Sequence, residues 1–291
     1  MDTIDLHTHS NASDGTLSPT ALVDLAVETG LAAVALTDHD TVDGLTEFVE
    51  AGVRKGIEAI PGVEINAAHG SGTLHILGYF VPVGDSPLRN ALGEMRRSRV
   101  DRARAMTKRL RDLGIPIELD DVISEAAGAT IGRPHFASVL VKKGVVATMS
   151  EAFERYLGKS GPAHVSRRKF SAAECIGFIA SSGGIPVLAH PGTIETPGAP
   201  DLERIVGELA DRGLRGIEAH YSSHSEADTA RYLEIAERLG LLVTGGSDFH
   251  GKARARFDLG RGLGNLSVPA KILEPLRAEK ERLRKQGLSG P

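Results

Sequence analysis

Short apolar stretches that end in histidine or a carboxylate recur along this chain, and this recurrence constrains the fold more than any other feature. They are "TIDLHTH" from Thr3, "AVALTDH" from Ala33, "AIPGVE" from Ala59, "IPVLAH" from Ile185 and "LLVTGGSDFH" from Leu241. Each reads as a strand. Helical patterns lie between them. "LSPTALVDLAVETG" has Ser18 as N-cap, Pro19 in the first turn and Gly30 as its stop. "VDGLTEFVEAGVRKG" follows, with Asp40 as its expected cap. Later come "SAAECIGFIASSGG", "DLERIVGELADRG" and "SEADTARYLEIAERLG". "EAIPGVEINA" and "TLHILGYF" form two strands in succession. This alternation predicts a parallel sheet, either closed into a barrel or left open and doubly wound. In both forms, side chains from distant segments meet at the C-terminal strand edge.

The alternation stops after Pro87. "LRNALGEMRRSRVDRARAMTKRLRDLG", "DDVISEAAG", "RPHFASVLVKKG" and "SEAFERYLG" are all helical in pattern, and no strand is expected from Leu88 to Arg168. The organisation predicted is a domain made of residues 1–87 and 169–291, interrupted by a helical insertion at 88–168. The charged tail from Ala270 reads as one more helix that frays at its end.

Composition removes several classes of function. The chain has 291 residues and a net charge of −4, so it lacks the cation excess that a long nucleic-acid surface needs. Aromatic residues are 4% with no Trp, which argues against stacking bases along a strand. No apolar run reaches the roughly 20 residues of a membrane span. "MDTIDLH" has neither the basic nor the apolar region of a signal peptide, so the expected compartment is the cytoplasm. Cys175 is the single cysteine, which rules out an intrachain disulfide and a thiolate zinc site.

The residues at the strand ends have one chemistry in common. His7, His9, His39, Glu64, His190, Asp248 and His250 sit there, with Asp14 close behind the first strand and His75 inside "TLHILG". His7 and His9 are two apart, so on a strand both rings project to one face. "SDFH" repeats that spacing. Imidazole and carboxylate suit manganese, zinc and iron. These candidates exceed what one ion can use, so two or three divalent ions are expected, with Glu64 able to bridge a pair. Taken singly, each motif has a plainer reading: H-x-H is common, and "AHPG" could be a turn. A bystander set, however, would also populate helices and strand starts. His69 reads as solvated, His164 as a loop residue open to a substrate role, and His220 and His224 as pocket lining rather than ligands.

Taken together, H-x-H near the N-terminus, Asp14, "TDHD", Glu64, "AHP" and "SDFHG" resemble the polymerase and histidinol phosphatase (PHP) family, in the family's order from His7 to His250. The resemblance implies a distorted (β/α)7 barrel with a metal cluster at its C-terminal edge. It also implies a division of ligands. His7, His9, Glu64 and Asp248 would hold one ion, Glu64, His75 and His190 a second, and Asp14, His39 and His250 a third. Manganese is the first choice, with zinc, iron(II) or magnesium as alternatives. "RPHFA" at Arg133 to Ala137 is similar to the small stand-alone bacterial members, the 3′,5′-nucleoside bisphosphate phosphatases, some of which trim short RNA from its 5′ end.

Phosphate-ester hydrolysis suits such a cluster on chemical grounds. The expected attacking group is metal-bound hydroxide held by Glu64, His190 and Asp248, while the ions neutralise charge on the phosphoryl oxygens. "SSGG" and "YSSHS" lack the strand–turn–helix context of a nucleophile elbow. A second phosphate would need its own cations. Arg133 and His135, at the start of a predicted helix, are the first candidates, followed by Arg99 and Arg102 and then Lys159, Arg167 and Arg168. Most other charges of the arginine-rich helix read as a solvated face. The partner expected is a small nucleotide or short oligonucleotide. Rival readings are a histidinol-phosphate-type phosphatase, an amidohydrolase, and a metal-binding module without turnover.

Overall fold

The computed structural model describes residues 3–70, 72–126, 131–166, 169–194 and 202–287. The first half alternates as its pattern dictates: β1 (Thr3–Asp5), α1 (Pro19–Glu28), β2 (Ala33–Leu36), α2 (Leu45–Lys55), β3 (Glu58–His69) and β4 (Gly72–Tyr79). Then come α3 (Pro87–Asp112), α4 (Leu119–Ala126), α5 (Arg133–Lys142) and α6 (Met149–Ala152), with a π-helical turn at Phe153–Leu157. The alternation resumes with α7 (Ala172–Ser181), β5 (Ile185–Leu188), α8 (Leu202–Ala210), β6 (Gly216–Tyr221), α9 (Glu226–Leu239) and β7 (Leu242–Gly246). It ends with β8 (Val268–Pro269) and α10 (Leu273–Lys285). The chain divides into two compact units, residues 1–92 with 169–291, and residues 93–168.

The first unit is a distorted (β/α)7 barrel. Its strand order is β7-β6-β5-β4-β3-β2-β1-β8. Backbone bonds from Leu6 N–H to Gly245 O (3.1 Å) and from Asp248 N–H to His7 O (2.9 Å) bring β7 round to β1 and close the ring. The short β8 pairs antiparallel with β1. One buried cluster takes residues from most of the strands, including Ile4, Leu6, Ala33, Ile60, Leu77, Tyr79 and Val187, and α10 adds Leu273, Leu276 and Leu283. Such burial is the main stabilising term, at about 25 cal/mol per Å² of apolar surface. Among the described residues no helix is long and apolar enough to cross a membrane.

Three local expectations need correcting. The sheet is mixed rather than parallel, because β4 runs antiparallel to both β3 and β5. The β3–β4 connection is too short for a crossover helix, so it can only be a hairpin. Glu64 therefore lies inside the 12-residue β3 rather than at a strand end, and His75 lies within β4 opposite Asn66. Because β4 is reversed, its N-terminal half lies beside the C-terminal half of β3, and this brings His75 to Glu64. Asp40, finally, does not cap α2. That helix starts at Leu45 behind Gly44, while Asp40 Oδ1 accepts from Asn66 N–H at 3.0 Å. Ser18 does cap α1, its hydroxyl oxygen accepting from Ala21 N–H.

The helical unit has its own core. Ala103, Met106 and Leu110, spaced three and four apart, form one buried stripe of α3. Phe136, Val139 and Leu140 of α5 and Leu157 join the same cluster.

Barrel closure depends on a missing side chain. A methyl group at Gly246 would stand 2.4 Å from both the Cβ and the backbone N of His7. Gly246→Ala should therefore force β7 away from β1. The expected cost is about 3 kcal/mol, read as a fall in Tm of roughly 6–12 °C. An unchanged Tm would show that β7 and β1 do not close in this way.

Candidate metal centre

The closed barrel brings together side chains that are far apart in sequence. Three groups each offer ligand atoms lying within 4.8 Å of one another: His7, His9, Glu64 and Asp248; His9, Asp14, His39 and His250; and His39, Glu64 and His75. His190 adds its Nε2, 2.9 Å from Glu64 Oε1. Glu64 is fully buried and is the hub. Its Oε2 is 3.2 Å from His7 Nε2, 3.3 Å from His9 Nε2 and 3.0 Å from His39 Nδ1. Its Oε1 is 2.7 Å from His75 Nδ1. On the other side, His250 Nε2 is 3.2 Å from Asp14 Oδ1, and His9 Nε2 is 3.1 Å from Asp248 Oδ1.

The donor set fits a cation. Buried polar atoms normally find hydrogen bonds. Here His7 Nε2, both ring nitrogens of His9, Glu64 Oε2, Asp248 Oδ1 and His250 Nε2 are buried with none. Ring tautomers point the same way. Thr193 Oγ1 donates to His190 O at 2.9 Å, so it accepts from His190 Nδ1–H at 2.8 Å. With Nδ1–H spent on Thr193, the other ring nitrogen, Nε2, is the one that faces a carboxylate oxygen. In that tautomer its lone pair meets the carboxylate's, and a cation between them would remove the repulsion. The cluster is able to hold metal.

The electrostatics agree. Burial lowers the pKa of His7, but Glu218, Glu64 and Asp248 outweigh it and hold the ring well above its ordinary value. Burial likewise opposes protonation of His9, yet Asp248 and Glu64 push it up to about 9. His39 goes the other way. Burial, with His9 and His75 nearby, takes it down to about 3 despite Glu64. Burial works against the Asp248 charge, but His7 and His9 keep that carboxyl well below its usual range. Positive charge is strongly favoured at the centre of this group.

A family model described as the PHP domain matches residues 5–128. A 3′,5′-nucleoside bisphosphate phosphatase of Chromobacterium violaceum is 36% identical over 97% of each chain. The 5′-3′ exoribonuclease Rnm of Salmonella typhimurium is 34% identical over 84% of each. A solved structure from Bifidobacterium adolescentis, assigned to the metal-dependent phosphoesterases, superposes with a TM-score of 0.75 at 31% identity, covering 96% of both chains. The chain belongs to the PHP domain family.

In this PHP barrel, further residues hold the cluster in place, and the sequence reading passed over them. Glu218 on β6 is fully buried. It accepts from His7 Nδ1–H at 2.9 Å and from His190 N–H at 2.7 Å. The first bond fixes the His7 tautomer with Nε2 free to ligate. The second holds His190, whose φ of 26° is unusual outside glycine. Asp248 has a φ of 59°, and its Oδ2 accepts from Tyr221 O–H at 3.0 Å and from the Arg254 guanidinium. Asp5 accepts from the backbone of His7, Ser247 and Gly260. Asp38 accepts from both the backbone and the hydroxyl of Ser10 and from the Ser13 hydroxyl, steadying the loop that carries Asp14. A lone Glu in the apolar "GIEAHY" was the one signal that could have found Glu218.

The other sequence candidates fall elsewhere. His220 and His224 are in none of the three groups, and His224 Nδ1–H donates to Ala219 O at 2.9 Å. Arg99, Arg102, Arg133 and His135 all lie in the helical unit. His135 Nδ1 accepts from Gly132 N–H at 3.1 Å, closing the first turn of α5. Lys159 is exposed, and Arg167 and Arg168 lie outside the described residues.

Glu218→Gln keeps the shape but replaces one acceptor by an NH₂ donor, which must face either His190 N–H or the His7 ring. Metal-stripped Glu218→Gln should bind Mn²⁺ roughly 10–100-fold more weakly than the parent, measured by chelator competition, with an unchanged circular-dichroism spectrum. Equal affinity would remove Glu218 from this role.

Proposed function

We propose that this chain is a metal-dependent phosphatase that removes the 3′-phosphate of nucleoside 3′,5′-bisphosphates. The carrying observation is the convergence of unpartnered imidazole and carboxylate atoms around Glu64. The choice of substrate is supported by the Chromobacterium violaceum relative, whose similarity runs through 97% of both chains.

The reading takes two or three divalent ions, manganese first. His7, His9, Glu64 and Asp248 would hold one, Glu64, His75 and His190 a second, and Asp14, His39 and His250 a third. Bound divalent ions lower the pKa of coordinated water and neutralise charge on phosphoryl oxygens. The remaining work of the barrel is positional. Glu64 shares its two oxygens among several imidazoles and can bridge. Glu218 sets the His7 tautomer, and Tyr221 and Arg254 direct Asp248. No thiolate competes as nucleophile. Cys175 is buried, and burial, with Asp40 and Glu174, pushes its thiol up to about 12. Arg99, Arg102 and Arg133 are proposed as phosphate contacts of the helical unit, whereas His135 already uses one ring nitrogen on the cap of α5.

The second reading, a 5′-to-3′ exoribonuclease on short RNA, is favoured by the Salmonella typhimurium relative. One assay separates the two. Metal-stripped protein is given Mn²⁺ and offered nucleoside 3′,5′-bisphosphates, histidinol phosphate, short 5′-phosphorylated RNA and an amide panel. Phosphate release should be fastest from the bisphosphates, and His7→Ala or Asp248→Ala should bring it to background. Nucleotide release from RNA alone would select the exoribonuclease. Hydrolysis of an amide with no phosphate ester turned over would overturn both readings.

A further inference from the structure

We propose that Asn66 sets the ring of His75 for metal. Its side-chain oxygen accepts from His75 Nε2–H, which leaves on Nδ1 the lone pair a cation needs. Asn66 and His75 stand opposite each other in the β3–β4 hairpin. Glu64 is two residues before Asn66, so on a strand its side chain shares that face. One imidazole thus meets two side chains of β3. Its Nδ1 lies 2.7 Å from Glu64 Oε1, and its Nε2 lies 3.1 Å from Asn66 Nδ2. Glu64 Oε1 also faces His190 Nε2 at 2.9 Å. Nδ1 is therefore the His75 nitrogen turned toward the oxygen that His75 and His190 share.

The two contacts are linked through the ring. A neutral imidazole has one N–H and one lone pair. With the Asn66 amide nitrogen donating, Nε2 accepts and Nδ1–H donates to Glu64. That tautomer is complete without a cation and closes Nδ1 to one. With the amide turned by half, Oδ1 accepts from Nε2–H and the Nδ1 lone pair faces Glu64. Asn66 makes the choice, because an ionised carboxylate only accepts whereas an amide does either. The oxygen required is at hand: Asn66 Oδ1 is buried with no hydrogen-bond partner. The backbone need not move, since Asp40 Oδ1 holds Asn66 N–H at 3.0 Å and β3–β4 pairing runs on both sides of it. The His7 ring is set by a carboxylate, Glu218, and the His190 ring by Thr193, whose hydroxyl is already spent as a donor. Neither of those partners can reverse its bond, and the amide at His75 can. Loading of the ion that His75 would hold is thereby coupled to one side-chain turn.

The inference rests on the metal reading of this centre and on no turnover. Full-length protein carrying isotope-labelled histidine is stripped of metal and reloaded with Zn²⁺, which is diamagnetic. Nitrogen–proton correlation NMR then reads the ring nitrogens, with His75 assigned by the signals lost in His75→Gln. In the zinc-loaded parent, His75 Nε2 should carry the proton. Asn66→Leu, of similar size but without an acceptor, should bind Zn²⁺ roughly tenfold more weakly in chelator competition, with an unchanged circular-dichroism spectrum. Asn66→Asp, which only accepts, should bind at least as tightly as the parent. A bare Nε2 on His75 in the loaded parent, parental affinity in Asn66→Leu, or an Asn66→Asp as weak as Asn66→Leu would overturn the inference. The parent's ring spectrum decides the point even where Asn66→Leu does not fold. Absence of zinc uptake by the parent would overturn the metal reading as well, whereas uptake with the wrong ring state overturns this inference alone.

Discussion

A carboxylate with no exposure to water, ringed by imidazoles, organises this protein. Glu64 has five histidines within 3.3 Å of its oxygens: His7, His9, His39, His75 and His190. Isolated burial of such a charge costs several kcal/mol even after relaxation. Here the surroundings reverse the balance. Burial raises the Glu64 pKa, but His39, His7 and His75 together hold it well below its ordinary value. The acid stays ionised, and the centre stays hungry for positive charge. Most of the unusual features nearby serve to keep these rings and this acid in register.

That register comes from barrel closure. His7 lies on the segment that β7 meets, and Gly246 leaves room for the contact. His39 bridges in parallel to Glu64, and Thr8 to Phe249, so ligand loops continue the sheet pairing beyond the named strands. Three buried acids then tie the loops down. Asp5 joins the end of β1 to the end of β7, Asp38 holds the Asp14 loop, and Glu218 links His7 to His190. Each such acid sees backbone N–H or hydroxyl donors, which is how a buried carboxylate is made tolerable. Positioning through hydrogen-bonded partners behind a ligand set is a general device for fixing tautomer and ring orientation.

The strand-helix alternation and the separate all-helical stretch were legible because they rest on period and capping, as at Ser18 and Pro19. The barrel and the PHP membership were legible through motif order from His7 to His250. The reversed β4 was not, since a strand pattern carries no direction and an apolar run reads alike both ways. That missing direction is also why Glu64 and His75 read as points on successive strands rather than as neighbours in one hairpin. Glu218 and Arg254 stayed hidden for a different reason. Their roles depend on what closes over them, and neither sits in a spacing that marks a ligand. Asp40 misled because a polar residue before a helical pattern suits a cap, while the chain spends its carboxylate on Asn66 across to β3.

The same geometry carries a stability cost. His190 and Asp248 adopt positive φ, a conformation that costs about 1–3 kcal/mol each for such residues. Buried polar atoms left without partners cost about 1–3 kcal/mol apiece. These costs are concentrated in the ligand loops, while Ile4, Leu6, Leu77 and Val187 beneath them are fully buried. A lysine or arginine among these groups could answer the carboxylates and donate to an imidazole nitrogen, but its long side chain would need room that this packed centre does not offer. Protonation answers the lone pairs but cannot bridge two oxygens of different residues at a fixed distance. A small divalent cation would do both at once, and binding confined to the folded state would add to the folding free energy of the segments that carry the strain. A cation held at this centre would therefore also make closing the barrel around these residues more tolerable.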